Sequence, residues 1–315
     1  FVRAPKSDAE EGLFMLETVD LKARLSKDEY RAAMERLDVR LADQQRALRA
    51  AGIPVLIVFD GWDAAGKGSA LSRLLQPLDP RGFKVYHVSA RSEQERMYSP
   101  MRRFWLRAPA RGLIAIYDHS WYREVFEERI EERPDDAERV RAFERIRVFE
   151  RQLADDGALI VKFFLHISRR EQARRFKALA ADPAFAWKVG KGERRRHKRY
   201  DELLDAAENL LRETSTPFAP WNLVPAADER FATVRVAETL AATFERALAA
   251  GEARPAGAPR GVPRRTSPLD RANLSHALAR DKYNKRLPEL QAELRRLQHL
   301  CYVRRRAALI VYEGW

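Results

Sequence analysis

Residues 55–69 read VLIVFDGWDAAGKGS, and this stretch decides the fold. An apolar run leads into Gly61-Trp62-Asp63-Ala64-Ala65-Gly66-Lys67, which fits the phosphate-loop pattern GxxxxGK. In that pattern a strand precedes the loop, and a helix with its positive end toward the phosphate follows it. The predicted phosphate-binding residues are Gly61, Ala64, Ala65, Gly66, Lys67, Gly68 and Ser69. A glycine-rich turn with a solvent-exposed lysine is the structural alternative.

Two positions of this loop are unusual for a nucleotide site. Gly68 stands where a magnesium-binding Ser or Thr normally follows the lysine. Asp63 places a carboxylate among the phosphates, where it would be repelled unless a metal ion or a proton lay between them. Asp63 is therefore predicted to be a magnesium ligand or a base.

Strand-like and helical patterns alternate on both sides of the loop. The predicted strands are 54–60, 84–90, 112–118, 158–166 and 221–225. The predicted helices are 27–51, 66–76, 91–107, 135–155, 169–182, 193–213 and 228–249. Such alternation is typical of an α/β domain with a parallel sheet flanked by helices, and here the domain would end near Ala250.

Two further segments carry candidate chemistry. The third predicted strand ends in YDHSWY and delivers Asp118 at its carboxyl end, where phosphate-loop enzymes hold magnesium. A helix cap is the alternative interpretation of Asp118. Residues 169–200 are basic and helical, which suits a lid that supplies cations to a transferring phosphate. A solvated basic helix is the alternative there.

Composition restricts the partners and the compartment. The 59 Lys and Arg residues against 46 Asp and Glu give a net charge of +13, which attracts polyanions without distinguishing nucleic acid from an inorganic phosphate chain. The longest apolar runs are far shorter than the about 20 residues that span a bilayer, so no membrane partner is expected. The single cysteine, Cys301, suits a reducing compartment, and we expect a cytoplasmic protein. Because Phe1 opens the chain, we expect the natural N-terminus to lie upstream.

The sequence repeats itself near its end. Residues 281–315 match 28–62 without a gap, and both stretches end in a Gly-Trp pair that follows a shared Leu-Ile-Val. Residues 251–268 are rich in Gly, Pro and Arg and are predicted to be a linker. We therefore expect an N-terminal extension (1–26), a first domain (27–250), this linker, and the truncated start of a second repeat (269–315).

The motifs GWDAAGKG, DPRGFKV, YDHSWY, RREQARRF, WK and TSTPFAPW together resemble the second family of polyphosphate kinases, in particular its two-domain polyphosphate:AMP phosphotransferases. This resemblance implies a thymidylate-kinase-like phosphate-loop fold with a lid, and Mg²⁺-dependent transfer of phosphate between inorganic polyphosphate and an adenine nucleotide. It implies catalytic roles for Asp63, Lys67 and Asp118, with the two aspartates as metal ligands. Arg103 and Arg175 match phosphate-binding positions. Nucleic acid is then not the expected partner.

The chain departs from the family motif DRSWYxR at two positions. His119 and Glu124 stand where that motif has arginines, which removes positive charge near the transferring phosphate. These two departures therefore predict that this repeat has attenuated activity. The alternative is a non-catalytic polyphosphate-binding or structural repeat that supports an active second domain. A phosphate-loop ATPase acting on nucleic acid is disfavoured by Gly68, and a homo-oligomer is left open.

Overall fold

The computed structural model describes residues 15–126, 136–183, 185–252 and 275–311. Most of the predicted linker, residues 1–14 of the predicted extension, and the Gly314-Trp315 pair lie outside these residues. The chain divides into two units, Phe1–Pro255 and Ala256–Trp315. None of the described helices is long and apolar enough to cross a membrane.

A five-stranded parallel sheet forms the centre of the first unit, which confirms the predicted fold class. The strands are β1 (Val55–Gly61), β2 (Phe83–His87), β3 (Ile114–Asp118), β4 (Leu159–His166) and β5 (Trp221–Pro225). Their order across the sheet is β2-β3-β1-β4-β5. The strand that leads into the phosphate loop, β1, is thus central. Strands β2 and β3 are added on one side of it and β4 and β5 on the other, so the order of strands reverses at β1. Ligands of parallel α/β sheets bind at such a reversal, outside the carboxyl ends of the strands.

Helices connect and cover the strands. In the first unit they are α1 (Lys27–Ala50), α2 (Lys67–Leu75), α3 (Glu93–Arg96), α4 (Arg102–Trp105), α5 (Arg123–Phe126), α6 (Asp136–Asp155), α7 (Arg169–Ala181), α8 (Lys191–Lys198), α9 (Tyr200–Thr214) and α10 (Glu229–Glu252). All seven residues of β1 are buried, as expected for the centre of a parallel sheet. A capping box of Ser26 and Glu29 begins α1, which packs against α10.

Two predicted helices are wrong because each is divided in the structure. The predicted helix 91–107 consists of α3 and α4, and Ser99-Pro100 lies between them, where the proline disfavours helical geometry at the residue before it. The predicted helix 193–213 is divided at Arg199 into α8 and α9. Helix α9 buries a whole apolar face, whereas α8 buries none of its residues, so packing orients only the second of them. The predicted strand 84–90 ends earlier, at His87.

The second unit contains α11 (Arg280–Val303) in its described part. Residues 304–311 align with 51–58, which include the first four residues of β1, and share Leu-Ile-Val with them, yet they form no strand. Leu309, Ile310 and Val311 are exposed. A strand needs the backbone of a neighbouring strand, and none is present among the described residues of this unit.

A buried ion pair joins the sheet to three surrounding segments. Lys162 of β4 is fully buried, and its Nζ donates to Glu150 Oε2 on α6 at 2.9 Å, to the Tyr122 hydroxyl at 2.8 Å and to the Thr214 carbonyl at 2.8 Å. Glu150 also accepts from the indole of Trp121 at 3.0 Å. Burial lowers the pKa of Lys162, and the nearby Glu150 carboxylate opposes that shift. The pair therefore holds the turn after β3 against the sheet.

We expect Glu150→Ala to reduce the free energy of unfolding by about 3–5 kcal/mol, because it leaves the Lys162 ammonium buried without its counter-ion. Glu144→Ala is the matched control, since Glu144 lies on the same helix in an exposed pair with Arg147 and should change stability by about 0.5 kcal/mol or less. Urea denaturation of the two variants measures the difference. Equal losses would show that the buried pair has no special role in stability.

Candidate active site

The phosphate loop begins where the backbone of β1 lies against Leu165 of β4. Gly61 ends β1 with φ of 124°, and a Cβ atom built on it would lie 2.3 Å from the carbonyl oxygen of Leu165. The next residue, Trp62, donates its backbone N–H to that same oxygen at 3.2 Å. Only glycine fits at this point. Backbone contact with β4 therefore fixes the point at which the chain leaves the sheet and enters the loop.

Lys67 closes the loop on itself. It is the first residue of α2, and its buried Nζ donates to the carbonyls of Gly61 at 2.9 Å and Trp62 at 3.0 Å. Ala64 and Gly66 both have positive φ, 60° and 94°. Such left-handed residues turn successive backbone N–H groups to one side, which makes an anion-binding concavity. The ammonium and the start of α2 thus face the same cleft.

Trp62 fixes the loop to the neighbouring strand β4 and to α9. Its indole Nε1–H donates to His166 Nδ1 at 2.7 Å, and its ring stacks on Tyr200, the first residue of α9, at a centroid distance of 4.3 Å. Burial lowers the pKa of His166 to about 4, so its imidazole stays neutral and can accept this bond. The sequence analysis assigned no role to these three side chains. Their contacts join residues far apart in the chain.

The structure places Asp118 at the carboxyl end of β3, beside β1. It pairs in register with Phe59, and its Oδ2 lies 2.9 Å from His87 Nδ1 at the end of β2. His119 follows with a positive φ of 59°, and its Nδ1 lies 3.9 Å from Asp60 Oδ1. Asp118 and the phosphate loop therefore meet at the same edge of the sheet.

Asp60 is a site residue that sequence reasoning missed. It is buried at the end of β1 and accepts from the Ser120 hydroxyl at 2.6 Å. The Ser120 oxygen in turn accepts from the backbone N–H of Tyr122. This chain of bonds ties the DHSWY turn to β1. The available signal was an acidic residue at the end of an apolar strand, which the neighbouring loop motif obscured.

A cleft of about 1090 Å³ lies over this edge of the sheet. It brings together the predicted residues Asp63, Lys67, Asp118 and Arg175 with the phosphate loop. It also includes Arg123, which follows the YDHSWY motif and could replace one of the missing motif arginines. Further polar side chains of the cleft were not predicted individually: His87, Arg174, Lys188, Glu193, Arg196, Asp228 and Glu229.

The two predicted phosphate-binding arginines lie in different places. Arg175 of α7 lines the cleft, where its guanidinium donates to the carbonyls of Ala64 at 2.9 Å and Ala226 at 2.6 Å and pairs with Glu171. It therefore braces the loop backbone. Arg103 of α4 does not line the cleft. Its guanidinium donates to the Ser89 carbonyl at 3.1 Å.

Arg103 lies in a basic hollow beside the cleft. This hollow, here called the arginine hollow, is lined by Val88, Ser89, Arg91, Pro100, Arg103, Phe104, Ser120, Trp121 and Arg123. It contains three arginines and no acidic residue. Arg123, at the start of α5, lines both the hollow and the cleft. The hollow and the cleft thus meet at the turn that follows Asp118.

The donor set suits a divalent cation that is bound together with phosphate. Among the described residues there is no group of three or more His, Cys, Asp or Glu side chains that could hold a metal ion. Asp63 and Asp118 nevertheless both line the cleft with the phosphate loop. Mg²⁺ is commonly held by one or two carboxylates plus substrate phosphates and waters. The residues present fit such an ion.

We expect Gly61→Ala to destabilise the protein and Gly68→Ala to stabilise it. The first places a methyl group against the Leu165 backbone, whereas a Cβ at Gly68 meets nothing within 4 Å and would favour α2 by about 0.4–1 kcal/mol. Thermal unfolding of both variants compares two glycines of one loop. A Gly61→Ala variant as stable as the wild type would contradict the close approach of β1 and β4.

Most of this chain is similar in sequence to known proteins. Residues 24–250 match the family model described as polyphosphate kinase 2. The chain is 38% identical over 233 residues to the polyphosphate:AMP phosphotransferase of Pseudomonas aeruginosa, covering 74% of this chain and 47% of that protein. It is 30% identical over 224 residues to the GDP-polyphosphate phosphotransferase of Mycobacterium tuberculosis, covering 71% and 76%. The chain thus spans about half the length of the first relative.

The fold is also found in a solved relative. The crystal structure of a polyphosphate kinase 2 from Arthrobacter aurescens superimposes with a TM-score of 0.71 at 30% identity, covering 76% of this chain and 87% of that one. Kinases of this family generally need a divalent metal. The resemblance of the GWDAAGKG and YDHSWY motifs to the second family of polyphosphate kinases is confirmed at the level of the family, and the sheet, the loop and the matched 227 residues agree with it. The chain belongs to the polyphosphate kinase 2 family.

Proposed function

We propose that this chain transfers a phosphate from inorganic polyphosphate to AMP, giving ADP, with magnesium as its metal. The observation that carries the proposal is that two sites meet at Arg123: the cleft, where Asp63 and Asp118 lie with the phosphate loop, and the arginine hollow. A transferase needs one place for a phosphate donor and one for an acceptor. The name of the 38% identical relative supplies the two substrates.

The cleft suits the donor. The N–H groups of the phosphate loop and the ammonium of Lys67 would bind the terminal phosphates of the chain. Asp63 and Asp118 would hold Mg²⁺, which would neutralise charge on the transferring phosphate. Arg174 and Lys188 line the same cleft and would continue the contact with the polyanion.

The arginine hollow has the charge for the acceptor phosphate, although its volume of about 20 Å³ in this structure would have to widen to admit it. Arg91, Arg103 and Arg123 would bind the phosphate of AMP and orient one of its oxygens toward the cleft. Tyr98 and Leu106 line an adjoining pocket and are exposed, so they could pack against the adenine ring. Nothing in this arrangement requires a nucleic acid.

The reaction is then an in-line transfer. An oxygen of the AMP phosphate attacks the terminal phosphorus of polyphosphate, the new P–O bond forms, and the bond to the remaining chain breaks with its electrons on the departing phosphate. Phosphoryl transfer depends mainly on position and on neutralised charge. Lys67 holds the loop in shape and bears charge at the donor, while Arg123 stands between donor and acceptor.

A second candidate function is supported by one observation. His119, which stands at an arginine position of the family motif, lies beside the buried Asp60 and brings no fixed positive charge to the cleft. A non-catalytic repeat that binds polyphosphate and supports an active second repeat remains the alternative. The side chain of Glu124 lies outside the described part of the structure.

The remaining sequence predictions stay part of this proposal. We propose that residues 27–250 form a first kinase domain with a lid at about 169–200, that 251–268 link it to a second repeat, and that 269–315 begin that repeat. A cytoplasmic location and the number of subunits stay predictions.

Lys67→Ala should lower the rate of ADP formation from AMP and polyphosphate by about 10²–10³, because it removes one preorganised cation from the donor site. Lys84→Ala, which removes an exposed lysine of β2 outside the cleft and the proposed lid, is the control and should leave the rate unchanged. A coupled assay for ADP with Mg²⁺ measures both. If the wild-type chain forms no ADP, the proposed transfer is wrong for this chain. If Lys67→Ala is as fast as the wild type, the donor site lies elsewhere.

His119→Arg separates the two candidate functions. If the chain is an attenuated enzyme, the added charge near the transferring phosphate should raise the rate at least tenfold, a modest part of the about 10³ to 10⁵ that an arginine finger supplies. If the repeat only binds polyphosphate, the same variant should tighten polyphosphate binding and still form no ADP. Titration calorimetry and the ADP assay distinguish these results.

A further inference from the structure

An ion pair covers the carboxylate of Asp63 in the phosphate loop. Arg196 Nε of α8 lies 2.7 Å from Asp63 Oδ2, and the exposed fractions of the two side chains are only 13% and 16%. A pair so shielded is screened less by solvent than a surface pair. Arg196 also pairs with Glu193 one turn earlier at 3.0 Å. A guanidinium therefore occupies one side of a carboxylate that the proposed reaction assigns to a metal ion.

Polar contacts and one ring contact, between His197 and Phe176 at a centroid distance of 5.6 Å, hold α8 over the loop. The helix buries none of its residues, in contrast to α9 directly after it. The two helices part at Arg199, and α8 is preceded by Gly190. Besides the Arg196 pair, His197 Nδ1 lies 2.7 Å from Gln172 Oε1, and the amide of Gln172 donates to the Asp63 carbonyl at 3.1 Å. A segment held in this way can exchange its partners without uncovering a core.

A guanidinium and a divalent cation compete for one carboxylate, because two cations held against the same group repel each other at short range. Once polyphosphate lies in the cleft, its oxygens offer Arg196 a stronger set of acceptors than the single Asp63 oxygen. We propose that Arg196 is the counter-ion of Asp63 in the ligand-free protein, and that it passes from Asp63 to phosphate when a divalent cation and polyphosphate bind together. This rests on the proposed function, since it takes Asp63 as a metal ligand.

Such an exchange couples the two ligands. Without phosphate, the metal must break the Arg196–Asp63 pair and leave Arg196 with one carboxylate fewer, so the metal binds weakly. With phosphate present, the displaced guanidinium gains a partner, so each ligand strengthens the other by the same factor. Arg196 is then a positioning residue that keeps a lone metal ion out of the loop.

The test is a titration of the full 315-residue chain with Mn²⁺, in which electron paramagnetic resonance measures the bound metal. The titration is done once without phosphate and once with tripolyphosphate. Arg196→Gln should bind Mn²⁺ alone about tenfold more tightly than the wild type, the equivalent of about 1.4 kcal/mol. The gain in Mn²⁺ affinity on adding tripolyphosphate should shrink by a similar factor. Arg196→Lys should resemble the wild type because it keeps the competing charge.

Arg194→Gln is the matched control, since Arg194 is an exposed arginine of the same helix, and it should leave Mn²⁺ affinity unchanged. The proposal is overturned if Arg196→Gln does not tighten Mn²⁺ binding, or if Arg196→Lys or Arg194→Gln tightens it as much. Circular dichroism of each variant confirms that it is folded. These readouts need no turnover, so a chain that forms no ADP and still shows the exchange would contradict the proposed function alone.

Discussion

The close approach of β1 and β4 at Gly61 is the constraint on which the site depends. Because no side chain fits between Gly61 and the Leu165 carbonyl, the chain leaves the sheet at a fixed point and direction. Lys67 then bonds back to the first two carbonyls of the loop, and Trp62 anchors it to His166. The parallel register of β3 with β1 brings Asp118 to the same edge. These contacts bring the phosphate loop, its lysine and the carboxylates together at one edge of the sheet.

Features with a local cause could be predicted from the sequence. The apolar run before Gly61, the glycine spacing of the loop and the acid after β3 are each contained in a few residues, and the structure has them where the patterns predicted. The parallel sheet follows from the alternation of strands and helices. Hydrophobic periodicity detects a helix by the face that it buries. Because α8 buries none of its residues, the pattern gave no sign that the helix is divided at Arg199.

Features that depend on distant pairs could not be predicted. Arg103 and Arg175 are similar basic residues in the sequence, yet one lines the arginine hollow and the other braces the loop. The Asp63–Arg196 pair joins residues 133 positions apart. Lys162 appears as a charge inside an apolar strand, and only its contact with Glu150 explains why it is tolerated there. The charge composition indicated a polyanionic ligand. Only the structure shows that the charged residues are divided between the cleft and the arginine hollow.

The central claim is that donor and acceptor phosphates lie on opposite sides of Arg123. The most direct measurement is a crystal structure of the chain with AMP, tripolyphosphate and Mn²⁺, using the anomalous signal of the metal. The account predicts tripolyphosphate on the loop from Gly61 to Lys67, Mn²⁺ between Asp63 and Asp118, and the AMP phosphate in the arginine hollow. AMP on the phosphate loop, with the arginine hollow empty, would contradict it.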